Sequence, residues 1–252
     1  MTTGARIRTV VAPIVFGVLM LVVWQLLVTV LRIQPFVLPG PLAIGQQFGS
    51  RAPFILQAAL ITALNALAGL ALGTVLALVA AVLAAALRVL DELSSWIVTA
   101  LSVVPIVALA PVLYTMFGAS VQTTRVLIAA LAVFVPVYVT TLRGLRTVRP
   151  IHRDLMRAYA ATRWQATRSV TLPGAVPYFF TGLRIASSLA VISALVAEYF
   201  GGPFTGLGKS ITSAVSSSNF PLAWAFVLGA ILTGLVFYLA TLAVETAATW
   251  HR

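Results

Sequence analysis

Residues 52–87 read APFILQAALITALNALAGLALGTVLALVAAVLAAAL, 36 consecutive positions without a charge between Arg51 and Arg88. A helix needs ~20 apolar residues to cross the hydrocarbon core of a bilayer. At 1.5 Å per residue this run would be about 54 Å long, too long for one upright crossing and too short for two with a turn. The expected form is one tilted or protruding helix over 54–87, entered after Pro53. Its Gly69 and Gly73 stand at small-xxx-small spacing, which either offers a close-packing face or merely interrupts an alanine-rich helix.

Outward from this run, charged residues divide the 252-residue chain into five further apolar stretches. The first covers 10–31 behind a leader holding Arg6 and Arg8. That leader resembles the start of a signal peptide, but the apolar run exceeds the usual ~7–15 residues and no A-x-A site follows, so a retained helix is expected. The third span, 93–117, carries Pro105 and Pro111, which remove backbone donors and break or kink a membrane helix. The fourth, 124–142, contains Pro136; the fifth, 175–199, has Arg184 near its start and Glu198 near its end. An outer re-entrant loop over 201–219 then leads to the sixth, 221–250. The expected fold class is an all-α integral membrane protein, a single domain of six transmembrane helices.

Composition narrows the function. The chain is 61% hydrophobic and 8% charged, against roughly 25% charged in ordinary soluble domains. A net charge of +11 would suggest nucleic acid in a soluble protein. Here the basic residues separate long apolar runs, so the expected partner is the lipid bilayer and not nucleic acid. Cysteine is absent, and acid–base or metal chemistry would have to come from His152, His251, Asp91, Glu92, Asp154, Glu198 and Glu245, which are scattered along the sequence. No catalytic, cofactor or metal site is expected from them, and the chain is read as a non-enzyme.

Lysine and arginine in short loops set orientation. With the N-terminus in the cytoplasm, the inner side receives Arg6, Arg8, Arg88, the eight arginines from Arg143 to Arg184, and Arg252; the outer side receives Arg32, Arg51, Arg125 and Lys209. Twelve against four places both termini inside. Within the longest inner segment, 150–173 mixes Leu155, Ala158, Tyr159, Ala161, Ala166 and Val170 with arginines at helix-like spacing until Leu172-Pro173-Gly174 ends the run. It reads as one or two short amphipathic helices under the membrane, suited to docking on a soluble partner or to lying against anionic headgroups.

Residues 154–186, DLMRAYAATRWQATRSVTLPGAVPYFFTGLRIA, resemble the E-A-A-x-x-x-G loop of binding-protein-dependent ABC importer permeases. Arg163-Trp164-Gln165, Leu172-Pro173, Pro177 and Gly182-Leu183-Arg184 match at the family's spacing. Asp154 stands where the family prefers glutamate, Ala160 where it prefers glycine, and Leu155 and Met156 replace its paired alanines. Trp24-Gln25 with Leu38-Pro39-Gly40-Pro41, Val104-Pro105 through Pro111 to Phe117-Gly118, and Ala197-Glu198-Tyr199-Phe200-Gly201 with Gly206-Leu207-Gly208 look like the nitrate, sulfonate and taurine branch.

The resemblance implies a type I importer permease fold in the bacterial cytoplasmic (inner) membrane. It implies a second permease subunit in a homodimer, two ATPase subunits that bind ATP and magnesium so that this chain holds no cofactor, and an extracytoplasmic substrate-binding protein. It also implies a cytoplasmic coupling helix over Asp154–Arg163 that contacts the ATPase. There Asp154 would cap or polarise the N-terminal end, Ala158, Ala160 and Ala161 would allow close approach, Tyr159 would supply contact area, Arg157 and Arg163 rim charges, and Trp164 would lie beside them. Alanine in place of glycine puts a sharp bend at 160 in question. The implied substrate is a small organic solute, sulfonate-, taurine- or nitrate-like, or else a vitamin precursor or aromatic heterocycle. The lack of an arginine clearly inside the spans tilts this toward a neutral or aromatic solute.

Asn65, Ser102, Tyr114, Thr140 and Ser187 are polar groups within spans, candidates to line a pathway and equally readable as helix–helix hydrogen bonders. Glu198, Ser213 and Ser217 are candidates for an outer gate or a binding-protein contact, although the stretch around the serines is also readable as a plain polar connector. Glu198 and Glu245, near helix ends, are expected to reach water or headgroups. The alternative function is an ion-coupled secondary transporter, which would keep ionisable groups near the bilayer centre. Arg184 either snorkels to the inner headgroups or pairs with the coupling segment. Residues 203–210, PFTGLGKS, fall one residue short of a phosphate-loop pattern, with proline in place of the first glycine and no aspartate after Asp154, so no ATP site is expected there.

Overall fold

The computed structural model describes residues 3–118, 122–148, 150–201 and 205–249, without the side chains of 3–10 and 107. Arg6, Arg8, Arg149, Gly202, Pro203, Trp250, His251 and Arg252, which entered the reading above, lie outside the described residues or have undescribed side chains. Eleven α-helices and no strand occur among the described residues. They are α1 (Thr3–Val30), α2 (Pro41–Ser50), α3 (Ala52–Ala86), α4 (Arg88–Val103), α5 (Ile106–Phe117), α6 (Gln122–Arg146), α7 (Pro150–Ala158), α8 (Arg163–Ala166), α9 (Leu172–Phe200), α10 (Leu207–Ser216) and α11 (Phe220–Thr249).

Five helical runs are long and apolar enough to cross a membrane: Val11–Val30, Ala52–Ala86, Gln122–Arg146, Arg163–Phe200 and Phe220–Thr249. The sixth is the pair α4–α5, counted as one span and bent by 105°. The break falls at Val104-Pro105, where proline lacks the amide that would continue the ladder and pushes its predecessor to extended backbone; Val104 sits at φ −69°, ψ 121°. Pro111 is accommodated inside α5. The uncharged run that opened the analysis is one unbroken helix of 35 residues, α3, with proline in its first turn, where the missing amide costs nothing.

The fifth span differs from expectation at its start. Leu172-Pro173-Gly174 does not end the preceding helical run: α8 passes through a π-helical turn, Thr167–Thr171, directly into α9. The Leu172 amide reaches back to the Thr167 carbonyl, and this widened turn is one way a helix accepts a proline without breaking.

At the centre, α6 packs between α3 and α9 and is the most buried span. The shared core is built from small and β-branched residues, among them Ala66, Ala77, Val133, Val137, Ala186 and Ala190. Lipid tails are as apolar as leucine, so helices in a bilayer associate through close van der Waals approach and not through hydrophobic expulsion. Gly69 and Gly73 serve that approach. A Cβ on Gly69 would collide with that of Ala129, and one on Gly73 would lie 2.5 Å from the Ala130 carbonyl oxygen. The large apolar side chains of α1 and α11, such as Phe16, Leu19, Ile231 and Val236, point outward. The Trp24-Gln25 and Leu38-Pro39-Gly40-Pro41 segments meet: Gln25 Oε1 accepts the Leu42 amide at 3.1 Å and so fastens α1 to the start of α2.

Replacing Gly73 with valine should therefore lower the melting temperature of the detergent-solubilised protein by several degrees, corresponding to about 1–3 kcal/mol of overpacking. Gly45→Ala, at a helical glycine with open space around it, should leave the melting temperature unchanged or slightly raised.

Candidate functional site

Many of the residues singled out from the sequence fall in three places: an exposed segment at one end of the bundle, a groove beside α6, and a buried polar cage at the other end.

The exposed segment begins with α7, in which no residue is buried. Its apolar side chains face outward: Ile151 is 70% exposed, and beyond it Tyr159 is 74% and Trp164 67% exposed. The helix is shifted from the expected Asp154–Arg163 to Pro150–Ala158. Asp154 is therefore its fifth residue and not a cap; its carboxylate pairs with Arg157 at 3.3 Å on the exposed face. The chain then turns at Ala160, which sits at φ 49°. The Ala161 amide donates to Met156 O and the Ala160 amide to Arg157 O, both at 2.9 Å. This is the hydrogen-bond pattern of a Schellman ending with alanine in the left-handed position that glycine usually fills. The bend is thus present despite the alanine. Directly after it, Thr162 and Gln165 form a reciprocal capping box at the start of α8: Thr162 Oγ accepts the Gln165 amide at 3.3 Å and Gln165 Oε1 accepts the Thr162 amide at 2.8 Å. Gln165 of the Trp-Gln pair is there to start a helix, and Trp164 is left exposed beside it.

Two cavities of about 450 and 190 Å³ line up along the groove between α4–α5 and α6. The first is walled by Ser95, Thr99 and Tyr138 and opens beside Arg143 and Arg146; the second contains Ser102 and Pro136 and reaches Leu189 of α9. Asp91 and Arg146 pair across the mouth at 2.6 Å, and the Ser94 and Tyr138 hydroxyls bond just inside it. Of the five polar pathway candidates, only Ser102 lines one of these cavities. Thr140 bonds the Pro136 carbonyl of its own helix, against Gly182, and Ser187 bonds Thr241 of α11. Tyr114 donates to Ala197 O at 3.0 Å, and Asn65 belongs to the cage.

The cage surrounds Glu198, which is 1% exposed and does not reach water as expected. Its carboxylate accepts the Thr62 hydroxyl at 2.7 Å, Asn65 Nδ2 at 3.2 Å and the Gly208 amide at 3.1 Å. Thr62 Oγ in turn accepts the Leu207 amide at 2.9 Å, and Asn65 Oδ1 accepts Gln122 Nε2 at 2.9 Å. One carboxylate thereby joins α3, α6, α9 and the N-terminus of α10, where unpaired amides and the helix dipole favour an anion. The glycines are required by this approach. Gly206 has φ 100°, and a Cβ on it would lie 2.5 Å from the Glu198 carboxyl carbon. The phosphate-loop look-alike is explained as well: the anion at this helix start is the protein's own carboxylate. Arg125 is also buried, 4% exposed, with Nε and Nη1 lacking hydrogen-bond partners among the described residues.

Ser213 and Ser217 line a separate cavity at this end with Arg51 and Lys209. Arg184 follows neither expected reading. It pairs with Glu245 of α11 at 3.1 Å, where Thr181 also donates at 3.2 Å, and this takes Glu245 out of bulk water. No metal-binding group of histidines and carboxylates occurs among the described residues.

Two variants test the cage and the bend. Glu198→Ala strands the Thr62, Asn65 and Gly208 donors and should destabilise the protein by about 3–5 kcal/mol, read as lost folding yield or a much lower melting temperature; Glu198→Gln, which keeps one acceptor oxygen, should be milder. Ala160→Gly should stabilise the segment by about 1 kcal/mol, since glycine adopts positive φ without a Cβ penalty, read as slower amide hydrogen exchange at Ala161.

Residues 73–248 match the family described as binding-protein-dependent transport system inner membrane component. The chain is 30% identical over 233 residues to a probable ABC transporter permease protein of Haemophilus influenzae, covering 92% of this chain and 94% of that one. It is 32% identical to the riboflavin transport system permease protein RibX of Chloroflexus aurantiacus, covering 92% and 87%. The fold is similar to that in a crystal structure of an amino acid ABC transporter with histidines, with a TM-score of 0.62 at 14% identity over 80% of this chain and 94% of that one.

Proposed function

The chain belongs to the family of inner membrane components of binding-protein-dependent transport systems, and from that premise we propose how it works as the membrane-spanning permease subunit of an ABC importer. Two copies form the pathway, each seats its α7–Ala160–α8 segment on a separate ATPase subunit, and a substrate-binding protein delivers solute from outside. The observation that carries this reading is the segment itself. Ile151, Tyr159 and Trp164 are large, apolar and exposed on a short helical platform at the arginine-rich end, and none of the described residues covers them. Exposed aromatic anchors with arginines at the rim are the composition of a protein docking site. The positive-inside rule places that end in the cytoplasm, where an ATPase has access to ATP.

In this mechanism, ATP-driven closure of the two ATPases draws the platforms together, the spans switch from inward-open to outward-open, and hydrolysis resets them. The α4–α6 groove supports a solute route: its cavities are walled by hydroxyls and apolar side chains, with basic residues only at the mouth. Such walls favour a neutral or aromatic organic solute over a small anion. Names among the relatives include riboflavin, formylaminopyrimidine, taurine, aliphatic sulfonates and bicarbonate, and of these the aromatic solutes, riboflavin and formylaminopyrimidine, suit such walls. The alternative of ion-coupled secondary transport would need a carboxylate free to change partners, and Glu198 is held by three donors from two helices.

Tyr159→Ala should weaken association with the ATPase subunit by about 2 kcal/mol, and Ala158→Glu should abolish co-purification and uptake while leaving the melting temperature intact, because both positions are exposed. Normal ATPase association and uptake in both variants would overturn the coupling role. Solute accumulation driven by an ion gradient in liposomes holding this chain alone would favour the secondary transporter.

A further inference from the structure

The helix α4 is loosely held. Val98 is its one buried residue, while Leu93, Trp96, Ile97 and Val103 are exposed, Trp96 by 80%. The backbone is extended at both of its ends, at Leu87 (φ −123°, ψ 113°) and at Val104-Pro105 (φ −69°, ψ 121° and φ −67°, ψ 115°). A short rod between two such breaks has the form of a hinged element, because a few residues at element ends can absorb the whole change in φ and ψ. Its outward movement would break little packing.

The same helix is a wall of the solute groove proposed above. Asp91, Ser95 and Thr99 follow one another at steps of four and Ser102 comes three further on, a spacing that puts them on one face, and all four line the groove's cavities. Two polar ties fasten that face to α6 at the platform end. Asp91 pairs with Arg146 at 2.6 Å, with both side chains open to water, and one turn further in the Ser94 hydroxyl meets that of Tyr138. Tyr138 is buried and stacked on Phe134, so this second tie is to a fixed post. An ion pair in contact with water is weak and readily exchanged for hydration, which suits a contact that must be made and broken repeatedly.

Arg146 is also the last residue of α6, four positions before Pro150 opens the platform helix α7. Displacement of the platform therefore acts on Arg146 before it acts on the packed part of α6. We propose that α4 is a gate leaf closing the platform end of the groove, and that Asp91 and Arg146 are the latch through which the platform's position sets that gate. The latch holds when the ATPase subunits close on ATP and parts when they separate, so solute leaves the groove at this end only after hydrolysis. Neither residue needs to touch solute; both position the leaf. The inference rests on the solute route and the ATP-driven switch proposed above.

The chain has no cysteine, so Val98→Cys, at a buried position lining the cavity behind the latch, gives this subunit a single thiol. The test uses the transporter with its ATPase subunits in inside-out membrane vesicles and a membrane-impermeant maleimide, with labelling read on this subunit alone. Trapping the ATPases with ATP and vanadate should slow labelling of this parent at least about tenfold against the nucleotide-free state. Adding Asp91→Asn or Arg146→Gln should speed labelling in the trapped state about threefold to fivefold and leave the nucleotide-free rate unchanged; the exchange of both, Asp91→Arg with Arg146→Asp, should restore slow labelling. Ser94→Ala, which removes the second tie without touching a charge, should act in the same direction as the single charge variants and keeps the test open if those fold poorly. A merely structural tie would lower the melting temperature without changing the ratio of the two rates. Trapped-state rates equal to the parent's in the single variants, or an exchange variant that labels as fast as they do, would overturn the latch while leaving the importer reading in place. If trapping failed to slow the parent, the ATP-driven switch would fall, and this inference with it.

Discussion

A carboxylate taken out of water costs several kcal/mol unless its lone pairs are filled, and the cage end of this molecule is arranged around filling those of Glu198. Donors come from Thr62 and Asn65 of α3 and from the first turn of α10. Because Thr62 also accepts the Leu207 amide, α10 cannot shift without breaking bonds at both of its first two residues. The glycines at 206 and 208 follow from the same demand: a side chain at either would occupy the space of the carboxylate or of the α9 backbone. Leu207 between them is fully buried. An anion, two glycines and one leucine thus decide where α10 lies, and its position creates the cavity that Arg51 and Lys209 share.

The spans were legible because charge is so scarce that each uncharged run announces itself, and the break at Pro105 was legible because proline has no amide to give. The short amphipathic helix expected over Asp154–Arg163 exists but runs earlier, Pro150–Ala158, since the Schellman bonds to Met156 and Arg157 close it before Ala160. A glycine-based rule doubts that bend; the helix-ending bonds impose it and the alanine bears the cost. Polar residues inside the spans were the least legible. Asn65, Tyr114, Thr140 and Ser187 all face other helices, whereas Ser102 faces a cavity, and nothing local in sequence separates the two cases. A hydroxyl in a membrane helix needs a partner, but whether water or a neighbouring carbonyl supplies it depends on crossing geometry. Glu198 was misjudged for a related reason: its place at the end of a span was right, but α10 folds back over it.

The structure also connects its two ends through one element. From the capping box at Thr162, the run Arg163–Phe200 continues through the π turn as 38 residues of helix, about 57 Å at 1.5 Å per residue. Its first turn adjoins Ala160 and the exposed Trp164; its last holds Ala197, which accepts the Tyr114 hydroxyl, and Glu198. In between it packs along α6 through alanine and glycine contacts at near backbone distance, a packing with little room for bending. Displacement of the α7–α8 platform therefore has two outlets. The π turn, where one residue is already inserted into the ladder, lets the platform yield alone. A stiff π turn instead makes α9 move as a rod and carries the Glu198 cage, α10 and the cationic cavity with it. The proline at 173 favours the first outlet, because it adds no amide to the ladder and leaves that turn one hydrogen bond fewer to break, against which stands the bond of the Leu172 amide to the Thr167 carbonyl.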